Sequence, residues 1–179
     1  MVHADASNFA HNLTKQEMYS QVLDQVEALV KGQRNWVSNL ANTSSILWHA
    51  YASQNSPLSS VNWAGFYVLD PSTQNQLILG PFMGKVACQT IAFNQGVCGK
   101  SATSIQSIVV NDVDTFPGHV KCDSDTLSEI VVPIFGDLNG EKTVVAVIDI
   151  DSKEKRTFDD VDKVWLEKLA HLLWENCDW

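Results

Sequence analysis

The chain has 179 residues, 45% of them hydrophobic, which is enough for one domain with a core of its own. A formal net charge of -9, from 12 Lys+Arg against 21 Asp+Glu, repels phosphate backbones and anionic headgroups and argues against nucleic acid and membranes as partners. No apolar stretch approaches the ~20 residues that span a bilayer, and the polar start MVHADASNFAHN lacks the basic and apolar regions of a secretory signal.

Residues 1–13 read as a loose leading segment. Thr14-Lys15-Gln16-Glu17 is a capping box, and behind it Met18, Val22, Val26, Leu29 and Val30 repeat at helical spacing, with Gly32 as the stop. A second helical stretch carries Trp36, Leu40, Leu47 and Tyr51 and ends before Ser56-Pro57. The period then changes. Residues 61–69, rich in aromatic and β-branched side chains, predict a strand; Asp70-Pro71-Ser72 predicts a turn, and a returning strand begins at Gln76. Further strands are expected at 86–91, 108–110, 129–135 and 144–150. Asn139-Gly140 marks a hairpin between the last two, and a short helix is expected around 97–101. The tail from Asp159 to Trp174 returns to helix, its first aspartates suiting the positive end of the dipole. The sum is an α+β domain spanning 1–179. A mostly antiparallel sheet carries the N-terminal and C-terminal helices on one face.

A soluble, cytoplasmic chain of this size, small enough to reach the nucleus by diffusion, sits in a reducing compartment. Its four cysteines, Cys88, Cys98, Cys122 and Cys177, are therefore read as core, metal-binding or redox-active rather than as structural disulfides. They contain no C-x-x-C pair and none of the short clustered steps of a zinc site, so no metal is expected. Cys122 stands in Phe116-Pro117-Gly118-His119-Val120-Lys121-Cys122-Asp123-Ser124-Asp125, a polar segment punctuated by proline and glycine that belongs at the surface. That is an unusual place for a residue that normally behaves as a small buried hydrophobe. Lys121 favours the nucleophilic thiolate, while Asp123 and Asp125 oppose it. Cys98, in Gly96-Val97-Cys98-Gly99, falls at a helix start, where the dipole lowers thiol pKa values; the alternative is that it merely fits where glycines bring backbones close. Cys88 on its own reads as core, and Cys177 as incidental.

Carboxylates give the second signal. In Val145-Ala146-Val147-Ile148-Asp149-Ile150-Asp151 the period of two puts Asp149 and Asp151 on one strand face and Ile148 and Ile150 on the other. An unpaired carboxylate inside so apolar a strand is costly, which marks Asp149, whereas Asp151 is equally explained as a turn cap. Glu129 opens its strand seven residues after Cys122; alone it reads as a solvated edge glutamate. Carboxylates sharing one cavity raise each other's pKa values, which equips one of them as a general acid. Trp63, between Asn62 and Ala64-Gly65, is either core packing or one wall of a ligand pocket.

Taken in order, Asn62-Trp63-Ala64-Gly65-Phe66-Tyr67, Ala87-Cys88, Gly96-Val97-Cys98-Gly99, Phe116-Pro117-Gly118-His119, Cys122-Asp123-Ser124, Ser128-Glu129-Ile130-Val131-Val132-Pro133 and Ile148-Asp149-Ile150-Asp151-Ser152 resemble the free methionine-(R)-sulfoxide reductases, a family built on the GAF fold. The resemblance implies that Cys122 attacks the sulfoxide sulfur of free methionine sulfoxide, while Glu129, Asp149 and Asp151 hold the substrate and assist protonation of its oxygen. Trp63 would pack against the methyl-sulfur end. Cys88 is the implied resolving thiol, with Cys98 as an alternative, a relay, or even the attacking thiol. It also implies recycling by thioredoxin, fed by NADPH through thioredoxin reductase, with no bound cofactor. A homodimer is expected because GAF helices often pair. Two rival readings are a GAF module that senses a small ligand and a redox sensor built on a Cys88–Cys122 disulfide.

Overall fold

The computed structural model describes residues 7–73, 75–120, 122–138 and 140–179. Its first element, α1 (Lys15–Val30), starts at the expected capping box. Glu17 N–H donates to Thr14 Oγ1 at 3.3 Å, and Thr14 N–H donates back to Glu17 Oε2 at 2.9 Å. Helix α2 (Trp36–Ala52) is capped by Asn35, whose side chain accepts from Ser38 N–H at 3.1 Å. Residues 7–13, expected to be loose, are tied down. Ser7 N–H donates to Gln25 at 2.8 Å, Leu13 N–H donates to Gln54 at 3.0 Å, and Phe9 and Leu13 pack on the core.

Six strands follow: β1 (Val61–Leu69), β2 (Gln76–Gly84), β3 (Thr90–Ala92), β4 (Ile108–Val110), β5 (Ser128–Leu138) and β6 (Glu141–Ser152). Helix α3 (Gly96–Ser104) lies between β3 and β4, and α4 (Asp160–Asn176) closes the chain. The strands form one sheet in the order β3-β2-β1-β6-β5-β4, antiparallel at every junction. Asn139, one half of the expected hairpin turn, lies outside the described residues. Its neighbour Gly140 has φ +85°, and Leu138 pairs with Glu141, as a two-residue hairpin requires.

One strand expectation fails. Residues 86–91 do not form a strand: β3 starts only at Thr90, and residues 85–89 leave the sheet, with Val86 87% exposed. The run is apolar and small enough to pass for a strand. However, Cys88 is bonded to Cys122 in a loop on the open face of the sheet, and Tyr67 Oη donates to the Cys88 carbonyl at 3.1 Å. The chain therefore crosses over that face instead of extending its edge.

The alternation along the strands separates two cores. Ala64, Phe66 and Val68 of β1, Ile130, Val132 and Ile134 of β5, and Ile148 and Ile150 of β6 face α1, α2 and α4, as expected for helices on one side. Each fully buried side chain of this size is worth about 1.5–3 kcal/mol in area removed from water. The opposite face carries Trp63, Tyr67, Val131 and Val147 against α3 and the loops. That face is only partly covered. The site lies there.

A thiol and acid cavity on the open face of the sheet

Register places the acids. Across three adjacent strands, Trp63 pairs with Asp151 and Asp151 with Glu129; in the row above, Gly65 pairs with Asp149 and Asp149 with Val131. Partners in an antiparallel sheet point to the same side, so Trp63, Asp151, Glu129 and Asp149 converge on one patch. Gly65 belongs to this patch for a steric reason. A Cβ there would stand 2.3 Å from Phe82 Cβ and 2.8 Å from the Trp63 ring. Without one, the Trp63 indole lies flat between Phe82 and Tyr67, with centroids 5.2 and 5.8 Å away and planes 12° and 21° apart.

The roof comes from three segments. Gly96, at φ +58°, turns the chain into α3 and presents Cys98 in that helix's first turn. The 117–126 loop brings His119 and Cys122, and the 85–89 crossover brings Cys88, which is disulfide-bonded to Cys122 with the Cα atoms 5.6 Å apart. Both loops are also clamped electrostatically. Lys85 reaches Asp125 at 2.8 Å and Asp123 at 3.6 Å, and Asn62 Nδ2 donates to Asp123 Oδ2 at 3.0 Å. Lys121, expected to favour the thiolate, lies outside the described residues.

The cavity is about 30 Å³ and is lined by Trp63, Tyr67, Cys98, His119, Cys122, Glu129, Asp149 and Asp151, among others. That is room for one or two water molecules. Every cavity residue singled out from the sequence reaches this lining except Cys88, which stands behind Cys122. Cys177 is remote, buried beside Asn39 at the end of α4.

Among the described residues, no Lys or Arg lines the cavity, and the electrostatics follow from that. Burial pushes the Glu129 carboxyl well above the usual carboxylate range, and Asp151 adds to the push. Burial and then Glu129 do the same to Asp149; burial, Asp149 and Asp123 do it to Asp151. Glu129 is 6% exposed, not the solvated edge residue that its position alone would allow. The expectation for Cys98 is reversed. It sits at a helix start, but burial and the neighbouring Asp149 and Glu129 carry its thiol well above the ordinary range.

The buried polar atoms without a partner among the described residues include the Trp63 indole N–H and Asp149 Oδ1, both on the cavity. One is a donor and the other an acceptor, so a ligand with a polar oxygen and a cationic N–H would satisfy both. Sequence reasoning missed His119. Its Nε2 lies 2.9 Å from Glu129 Oε2, both side chains being under a tenth exposed. Its signal in the sequence was its place in the Phe116-Pro117-Gly118-His119 block three residues before the loop cysteine, which gave it no partner and so no role. The chain also lacks any local metal-ligand spacing, yet the fold gathers Cys98, Glu129 and Asp149 with their ligand atoms within 4.8 Å of one another.

A GAF domain family model matches residues 12–176. The chain is 52% identical over 175 residues, 98% of its length, to a free methionine-R-sulfoxide reductase of Saccharomyces cerevisiae, covering 94% of that protein. It is 37% identical over 158 residues to the Escherichia coli protein of the same description, covering 88% of this chain and 87% of that one. A solved free methionine-R-sulfoxide reductase of Neisseria meningitidis, in complex with its substrate, superposes with a TM-score of 0.83 at 37% identity, over 94% of this chain and 93% of that one.

Proposed function

The chain belongs to the free methionine-R-sulfoxide reductase family of GAF domains, and we propose that it reduces the R-sulfoxide of free L-methionine to methionine with Cys122 as the attacking thiol. The observation that carries this reading is a Cys88–Cys122 disulfide closing a cavity lined by three carboxylates whose pKa values burial has raised.

A sulfoxide oxygen leaves only once protonated, so the reaction needs a thiolate at sulfur and an acid at oxygen. Cys122 supplies the first. Glu129, Asp149 and Asp151 hold protons at pH values where exposed carboxylates have lost them, and they supply the second. The orphaned Trp63 N–H and Asp149 Oδ1 suit the polar groups of a free amino acid, whose ammonium also supplies the cation that the cavity lacks. Trp63 and Tyr67 form the apolar wall for the methyl-sulfur end.

Attack at sulfur and protonation of oxygen give methionine and a sulfenic acid on Cys122. The Cys88 thiol then displaces water from that sulfenic acid and forms the disulfide. Thioredoxin, recharged by NADPH through thioredoxin reductase, restores both thiols by exchange through a mixed disulfide. No bound cofactor takes part, and the cycle belongs in a reducing, cytoplasmic compartment.

The test is methionine release from separate R and S epimers of free methionine sulfoxide, with thioredoxin, thioredoxin reductase and NADPH. Many turnovers on the R epimer alone are expected. No turnover on either epimer, in folded and reduced protein, would overturn the reading.

A further inference from the structure

The Cys88–Cys122 disulfide has an inner and an outer sulfur. Cys122 lines the cavity, whereas Cys88 is absent from that lining and stands on the loop that crosses the open face; both residues are half-buried. Two apolar side chains flank the bond where it meets solvent. Val86 is 87% exposed and Val120 is 46% exposed, each two residues before its cysteine, and both border the same cavity. We propose that Val86 and Val120 form the docking face for a dithiol protein of the thioredoxin class, and that the partner's thiolate attacks Cys88 Sγ rather than Cys122 Sγ. This deepens the recycling step of the reductase reading and rests on it.

The placement of the valines is the first argument. Among the described residues, the other large apolar side chains this exposed are Val37, Leu138 and Val164, on α2, β5 and α4. Single exposed hydrophobes of that kind are ordinary, but two beside one disulfide mark a contact surface. The pair is also held in place. Tyr67 Oη donates to the Cys88 carbonyl at 3.1 Å, and Lys85, next to Val86, reaches Asp125 at 2.8 Å and Asp123 at 3.6 Å in the loop that carries Val120. Lys85, Asp123 and Asp125 thereby neutralise one another and leave the valines as the unpartnered part of the face. A preformed apolar contact costs little ordering on binding, and transient redox encounters work with less than about 1,200 Å². A small, charged thiol gains nothing from two valines. A protein that surrounds its thiol with apolar side chains does.

The line of attack selects the sulfur. In thiol–disulfide exchange the thiolate approaches one sulfur from the side opposite the other, so access decides which is attacked. Attack on Cys88 starts on the side away from Cys122 and its cavity, beside Val86. Attack on Cys122 starts on the side that the carboxyl-lined cavity occupies. Attack on Cys88 forms the partner–Cys88 bond and breaks the Cys88–Cys122 bond, leaving its electron pair on the Cys122 sulfur. That sulfur shares the cavity with Glu129, Asp149 and Asp151, carboxyls that keep protons to neutralise it. The partner's second thiol then attacks its own bonded sulfur and releases Cys88. The partner's dithiol is oxidised to a disulfide, and its two protons end, by way of solvent, on Cys88 and Cys122.

The test mixes the full chain in its disulfide form with reduced thioredoxin, without sulfoxide, and follows loss of the Cys88–Cys122 bond. Val86→Asn and Val120→Asn are each expected to slow this reduction about tenfold or more, and Val86→Leu to keep the wild-type rate. Dithiothreitol, which needs no docking face, is expected to reduce all four proteins at one rate. A wild-type thioredoxin rate in either Asn variant, or the same slowing with dithiothreitol, overturns the face. Glutathione matching thioredoxin on the wild-type chain at equal thiol concentration overturns the class of partner. A thioredoxin whose second active-site cysteine is replaced by serine is expected to be trapped on Cys88, as read from the mass of the joined peptides; a trap on Cys122 overturns the order of attack. Because no sulfoxide is present, failure of the reductase reading shows separately, as normal reduction by thioredoxin with no methionine released when sulfoxide is later added.

Discussion

Asp162 and Asp149 are both carboxylates sealed inside the protein, and the chain treats them in opposite ways. Asp162, on α4 beneath the helix layer, is saturated. Tyr19 Oη donates to its Oδ1 at 2.8 Å, Asp159 N–H donates to its Oδ2 at 2.8 Å, and Lys15 forms a short ion pair with the same oxygen. Tyr51 Oη continues the network from Tyr19 at 2.6 Å. Asp149, on the other side of the sheet, faces two more carboxyls and a thiol, has no cation, and keeps one oxygen unpartnered among the described residues. The first arrangement ties α1 to α4 with every carboxylate oxygen partnered, although burial still raises the Asp162 carboxyl above its ordinary range. The second holds unfavourable electrostatics in place for a ligand to relieve.

The difference has measurable consequences. Asp149→Asn keeps the shape of the side chain and removes the acid, so kcat/KM for the sulfoxide is expected to fall roughly 100- to 10,000-fold while the melting temperature holds or rises. Asp162→Asn reverses the pattern. Removing one partner of a buried ion pair costs about 3–5 kcal/mol in the fully buried case, and the partial exposure of Lys15 reduces that to about 2–3 kcal/mol. Denaturant unfolding is expected to show that loss with kcat/KM changed less than twofold. Either variant behaving like the other would collapse the distinction.

Ile148, one residue from Asp149 and facing the helix layer, sharpens it further. Ile148→Ala is expected to cost about 2–5 kcal/mol of stability through the cavity it leaves, with little effect on substrate specificity. Two neighbours on one strand would thus divide stability and chemistry between them.

The smallest effect is on pH dependence. Glu129, Asp149 and Asp151 have folded pKa values raised above the ordinary 4.5 and 3.8 by burial and mutual repulsion. Between those ordinary values and the raised ones the folded state binds more protons than the unfolded. Their contribution is therefore most favourable at low pH and is lost as pH rises through that window. Asp70, held down to about 2 by hydrogen bonds from Gln76 and Ser72, acts in the opposite sense. The comparison is consequently wild type minus Asp149→Asn: the stability gained by the variant is expected to grow with pH above about 4, by no more than about 1.4 kcal/mol per pH unit.

Much of this was legible in the sequence because it is local. The capping box at Thr14, the hairpin between β5 and β6, and the alternation that sends Asp149 and Asp151 one way and Ile148 and Ile150 the other are all written within a few residues. The rest depends on what the fold brings together. The 86–91 run reads as a strand until Cys88 is tied to a loop that crosses the open face. Cys98 reads as an activated thiol until two carboxyls from other strands are placed beside it. His119 acquires a meaning only from Glu129, and Gly65 only from the indole that lies over it. Chemistry in this protein is concentrated where elements distant in sequence meet.

The most direct test of the account is methionine release in a single turnover from pre-reduced protein, without thioredoxin, given the R epimer. Wild type and Cys88→Ser are each expected to release about one methionine per chain, Cys88→Ser then retaining a sulfenic acid on Cys122. Cys122→Ser is expected to release none. A full equivalent from Cys122→Ser would contradict the account and move the nucleophile to Cys98.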